Sequence, residues 1–151
     1  MSTWTPEEAT QQLLAILPFL NRMVAAELRA VAGEATTMIQ FRVLSHLAEA
    51  TMTLSALAKK RRVSLQSAGE LVQSLEERGW IERIPDSNDR RQSLLQLTED
   101  GRAKYERAQE QMVAHLAPFL EKLTPDEMAA VQAALPALRR ILASDEDQED
   151  S

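Results

Sequence analysis

The sequence predicts a mainly α-helical fold carrying one small β-hairpin. Three observations carry that prediction. Only 4 glycines and 6 prolines punctuate the 151 residues, which favours long helices over a strand-and-turn fold. Apolar residues recur at helical spacing through most of the chain. One stretch, 80–97, departs from that period and reads as two short strands around a dense turn signal.

The first helix is well marked. Thr5 is its N-cap, Pro6 sits at the first helical position, and Glu8 completes a Thr-x-x-Glu capping box. Leu13, Leu14, Ile16, Leu17, Leu20, Met23, Val24 and Leu28 then continue the apolar face until Gly33, expected just past the helix end. Pro18 predicts a kink or a break, because it has no N–H and its ring crowds the preceding turn. The face is broad for one helix of a small domain and predicts burial from more than one side.

A second helix is expected over 37–50, with Met38, Phe41, Leu44, Leu47 and Ala48 inward. Two short helices follow, over 54–61 and 65–78. Leu54, Leu57, Ala58 and Val63 face inward around the first, and Ala68, Leu71, Val72 and Leu75 along the second. Ser64 is placed to cap the second, and Gly79 to end it in a left-handed conformation. Strands at 80–84 and 93–97 flank the turn 85–89. Thr98, with Glu99 and Asp100, opens a long helix to Lys122 in which Pro118 is an irregularity. Thr124, Pro125 and Glu127 repeat the capping grammar for a last helix through Met128, Val131, Leu135, Leu138, Ile141 and Leu142, with Pro136 as a bend. After Ser144 the acidic tail is expected to be disordered.

Net charge is −6, but the tail alone holds five acids, so the rest of the chain carries only −1. Basic residues cluster locally at Lys59, Lys60, Arg61 and Arg62 and at Arg90 and Arg91. Local fields, not the overall charge, govern phosphate attraction, so acidity does not exclude nucleic acid. There is no cysteine, which excludes disulfides, thiol redox sensing and thiolate metal sites. No segment has the length of an apolar membrane span and the N-terminus has no leader pattern, so a cytoplasmic protein with no membrane partner is expected.

Enzyme readings find no Gly-rich phosphate loop, no Gly-x-Ser-x-Gly elbow and no nucleophile beside a base. His46 and His115 each sit near an apolar helix face and read as half-buried structural imidazoles, and no metal or other cofactor is expected. Met23, Met38, Met52 and Met112 read as packing residues.

Two short helices with a tight break, followed by a hairpin with a basic tip, form a DNA-reading unit, a winged helix-turn-helix. The exposed N-terminal residues of helix 65–78 would meet base edges in the major groove: Leu65, Gln66 and Ser67, then Glu70 and Gln73 one turn and two turns on. Leu65 suits a thymine methyl, and Gln66, Ser67 and Gln73 suit hydrogen bonds to bases or are ordinary polar helix surface. Arg90 or Arg91 would reach the minor groove, and Lys59, Lys60, Arg61, Arg62 and Ser64 lie where phosphates would pass. Glu70 reads as a local partner or wing support, or as an acceptor aimed at a cytosine amino group.

From about Leu54 to Arg102 the sequence resembles the MarR (multiple antibiotic resistance regulator) family. The resemblance is most specific in the run from Asp89-Arg90-Arg91 to Leu97-Thr98-Glu99-Asp100-Gly101, and in Leu75 to Ile81 before it. It implies a homodimer whose first and last helices interlock on a pseudo-palindromic double-stranded DNA operator. It also implies that Arg91 enters the minor groove, that Asp89 holds the wing, and that a phenolic or anionic small molecule releases a repressor from DNA. The expected organisation is an N-terminal dimerisation helix at 1–35, a DNA-binding region at 36–100, C-terminal dimerisation helices at 101–144 and a tail at 145–151. Arg61 departs from a family position that is usually apolar and is expected to contact phosphate with its stem packed inward. The rival expectation is a winged helix that binds a protein partner and has lost DNA binding.

Overall fold

The computed structural model describes the backbone of residues 3–32 and 37–148 and the side chains of 3–30 and 37–142. In chain order the elements are α1 (Pro6–Ala32), α2 (Met38–Glu49), α3 (Leu54–Lys60), α4 (Leu65–Glu77), β1 (Ile81–Pro85), β2 (Ser93–Leu97), α5 (Glu99–Leu120) and α6 (Pro125–Gln148). β1 and β2 form an antiparallel pair with Ile81 opposite Leu97 and Pro85 opposite Ser93. Met52, just before α3, adds a third short edge by exchanging both backbone hydrogen bonds with Leu95. The chain is therefore mainly helical with one hairpin, a winged helix flanked by long terminal helices.

Side-chain caps account for where the helices begin. Thr37, Thr53, Ser64 and Thr98 each adopt extended backbone and accept a hydrogen bond from the N–H three residues on. At Thr37 the cap is reciprocal, because the Gln40 side chain accepts from the Thr37 N–H. The end of α4 is equally specific. Gly79 has φ +74°, its N–H donates to the Glu76 carbonyl, and the Trp80 N–H donates to Leu75. That pair of bonds is the Schellman arrangement, which satisfies the last carbonyls and turns the chain into the wing.

The main core joins α2, α3, α4 and both strands: Val43, Leu44, Leu47, Leu57, Val72, Leu75, Ile81, Leu95 and Leu97. A smaller cluster pairs Leu28 of α1 with Met112 of α5, with Val24, Met38 and Phe41 packed around it. Phe41 also meets Tyr105, ring centroids 5.3 Å apart, so α2 rests on α5. Outside these clusters the terminal helices present large apolar side chains to solvent: Leu14 and Phe19 on α1, Phe119 on α5, and Leu135, Ile141 and Leu142 on α6.

Several expectations are corrected. Of the kink or break expected at Pro18, the break is not found: helix α1 runs through that residue. The carbonyl that loses its partner belongs to Leu14, which is exposed, so water can replace the missing N–H. The expected disorder after Ser144 is not found over 145–148, where α6 continues to Gln148, there being neither Gly nor Pro to stop it. Residues 149–151 of that tail, and Gly33, lie outside the described residues. Val63 is exposed instead of inward, because the chain turns there to start α4. His115 is exposed and pairs with Glu27 across α1 and α5, so a polar contact holds it where apolar packing was expected. No helix among the described residues is long and apolar enough to cross a membrane.

Candidate nucleic-acid interface

The break between α3 and α4 brings the first group of candidate residues together. Lys59 and Lys60 occupy the exposed last turn of α3, and Arg61 is its C-cap. Arg62 then takes φ +52°, a left-handed conformation that costs a side-chain-bearing residue about 1–2 kcal/mol. The Arg62 N–H donates to Lys59 and the Val63 N–H to Ala58, which closes the turn. Arg61 is half-buried, and its Nε is buried with no hydrogen-bond partner among the described residues. Desolvation, and secondarily the charge of Arg42, lower its pKa from the usual arginine value.

Ser64 begins α4. Its hydroxyl accepts from the Ser67 N–H at 3.1 Å and lies 2.9 Å from the Ser67 hydroxyl. These two serines first of all build the helix terminus. Leu65, Gln66, Ser67, Glu70 and Gln73 are all exposed: Gln66, Glu70 and Gln73 by helical spacing on the side of α4 opposite the buried Ala68, Val72 and Leu75, and Leu65 and Ser67 in its first turn. Gln66 Nε2 donates to Glu70 Oε1 at 3.3 Å and Gln73 Nε2 to Glu77 Oε1 at 3.2 Å, so the exposed face is a stripe of paired amides and carboxylates. At 13 residues the helix is about 20 Å long, and its width suits a major groove.

The wing tip is a hydrogen-bonded turn. The Gln92 N–H donates to the Asp89 carbonyl at 3.0 Å, which puts Arg90 and Arg91 at its two central positions. Asp89 Oδ1 accepts from the Arg91 N–H at 3.0 Å, and Asp86 Oδ1 from the Asn88 N–H at 2.9 Å. Asp89 therefore shapes the backbone that presents the arginines. Both guanidinium groups are exposed, with no hydrogen-bond partner among the described residues.

Further residues hold the parts in register. Arg83 of β1 donates to the Glu76 carboxylate of α4 at 2.8 and 3.4 Å, tying wing to helix. The amide of the buried Gln40 donates to Ser74 Oγ at 3.4 Å, tying α2 to α4. The Thr98 hydroxyl donates to the Gly79 carbonyl at 2.5 Å and accepts from Gly101 N–H at 3.0 Å, while the Thr98 N–H donates to Trp80. A Cβ at Gly101 would lie 2.0 Å from the Trp80 oxygen, so only glycine allows this approach. Gln40 was missed in the sequence, although the Thr37-x-x-Gln40 capping pattern is a signal that could have marked it. The Glu76–Arg83 and Gln40–Ser74 bonds depend on tertiary placement and carried no sequence signal.

A sequence profile of the MarR family matches residues 36–92. The chain is 37% identical over 101 residues to the multiple antibiotic resistance protein MarR of Salmonella typhimurium, a match covering 66% of this chain and 70% of that protein. The chain belongs to the MarR family. Its fold also matches the crystal structure of Rv1404 from Mycobacterium tuberculosis, with a TM-score of 0.81 and 26% identity, over 94% of this chain and 97% of that one. A mutant MarR of E. coli complexed with operator DNA matches with a TM-score of 0.62 and 27% identity, over 89% and 99% of the two chains. As a MarR family member the protein is a DNA-binding transcriptional regulator.

Proposed function

We propose that this regulator is a repressor that binds a pseudo-palindromic operator as a homodimer. Lys59, Lys60, Arg61, Arg62 and Ser64 line the phosphate backbone, and Leu65, Gln66, Ser67 and Gln73 face the major groove. Asp89 holds the wing, with Arg90 and Arg91 directed at the minor groove. One observation carries the reading. The wing-tip turn places two uncommitted guanidinium groups on the same head as the exposed polar face of α4. A guanidinium in a narrow minor groove meets enhanced negative potential, which compensates for its desolvation.

Residues 1–35 and 101–144 form the dimerisation helices in this reading, because many large apolar side chains of α1, α5 and α6, Leu14, Phe19, Phe119 and Leu135 among them, are exposed. A phenolic or anionic small molecule, the class that family membership implies, would release the operator.

Selection of the purified protein on a random duplex library at two salt concentrations tests the proposal. It should recover an inverted repeat with half-sites about one helical turn apart, and affinity should fall steeply with salt. A failure to enrich any sequence at either salt would favour the rival reading, a protein-binding winged helix, for which the exposed Glu70 and the charge of −6 speak.

A further inference from the structure

The stripe Gln66, Glu70, Gln73 and Glu77 on the exposed side of α4 poses a problem of charge. A carboxylate near phosphates is repelled, unless the groove supplies a hydrogen-bond donor for it. Support of the wing, one role open to Glu70 on sequence alone, is filled by Glu76, which holds Arg83. Glu70 instead accepts from the Gln66 amide while remaining exposed. That bond orients the carboxylate and leaves acceptor capacity facing outward, since an ionised carboxylate has about four lone-pair sites.

Base edges differ in what they offer such a group. In the major groove guanine presents two acceptors, thymine an acceptor and a methyl, and adenine a donor beside an acceptor. Cytosine alone presents a donor with no acceptor on the same base, its N4 amino group. We propose that Glu70, oriented by Gln66, reads a cytosine amino group in each operator half-site. The inference rests on the proposal that α4 occupies the major groove. Gln66 and Glu70 lie one turn apart, about 6 Å along the helix axis. That is less than two base steps of about 3.4 Å, so their contacts fall within two base pairs of each other.

The test is selection from a random duplex library with the full-length wild-type protein, Glu70→Ala and Glu70→Gln, each first shown by circular dichroism to fold alike. Wild type should prefer cytosine at one position per half-site by about tenfold or more over the other bases. Glu70→Ala should flatten that position while keeping the remaining preferences, and Glu70→Gln should move it towards adenine, whose N6 and N7 a glutamine amide can engage together. A wild-type operator whose preferences survive unchanged in Glu70→Ala overturns the assignment, as does uniformly tighter binding with no change of preference. If wild type itself enriches no sequence, the placement of α4 in the groove fails and the assignment falls with it.

Discussion

Leu95 and Leu135 are the same residue in two regions of one chain, and their surroundings differ completely. Leu95, on β2, is 0% exposed among side chains from three helices and both strands, whereas Leu135, on α6, is 59% exposed. The winged head closes a core with its own residues. Among the described residues, the terminal helices bury only Leu28, Ala108 and Met112 of their apolar side chains and leave many others in solvent, although their sequence also carries an apolar face. Helical periodicity thus reports that a face will be covered, without saying whether the cover comes from the same chain.

The largest expected effect lies at the closed end of this comparison. Leu95→Ala should destabilise the head by about 2–5 kcal/mol in chemical denaturation, because it leaves a cavity that close-packed neighbours fill only in part. A loss below about 1 kcal/mol would mean that the head is less tightly packed than the burial of its leucines indicates.

Gly101→Ala comes next, at about 1–3 kcal/mol, the scale of forced overpacking. The added methyl would collide with the Trp80 carbonyl, at the point where α4, the wing and α5 meet. An unchanged melting temperature would show that this junction can open without loss.

How much of this was legible in the sequence follows the same division. The caps Ser64 and Thr98 and the left-handed Gly79 were readable because each acts through its own backbone and the next few residues. The turn signal at 85–89 was readable for the same reason, whereas the role of Asp89 in holding the wing was implied by the family resemblance. Arg83 on Glu76, and Gln40 on Ser74, were not, because both pairs form only when distant segments meet. At Pro18 the sequence allowed a kink or a break, and of the two the break does not occur, because the local rule does not say whether the turns on either side hold the helix together.

At the wing tip the prediction separates binding from folding. Arg91→Ala should weaken operator affinity by about 1–3 kcal/mol, the scale of a lost specific contact, and leave stability unchanged. The exposed side chain takes part in none of the bonds that shape the turn. Equal operator affinity in mobility-shift titrations of the two proteins would remove Arg91 from the interface.

Leu135→Ala returns to the open end of the comparison. In a chain that stays monomeric this exposed site should tolerate alanine within about 0.5 kcal/mol. In the proposed homodimer the truncation should weaken association by about tenfold or more, and make the unfolding midpoint depend more strongly on protein concentration. Sedimentation equilibrium of both proteins decides between the two.

The smallest effect is expected at Arg62, where backbone and side chain have opposite interests. Its φ of +52° is tolerated readily only by glycine, so Arg62→Gly relieves about 1–2 kcal/mol of backbone strain. Part of that gain is offset by the greater freedom of glycine in the unfolded chain, about 0.4–1 kcal/mol. The net change should be a stabilisation of about 0.5–1 kcal/mol. The cation is lost at the same time, and if it neutralises an operator phosphate, the slope of log affinity against log salt should become shallower by about one. Stability rising while salt dependence weakens would show that the head retains a strained arginine for its charge. A stability gain with an unchanged salt slope would assign Arg62 to the turn alone and narrow the phosphate-facing group to Lys59, Lys60, Arg61 and Ser64.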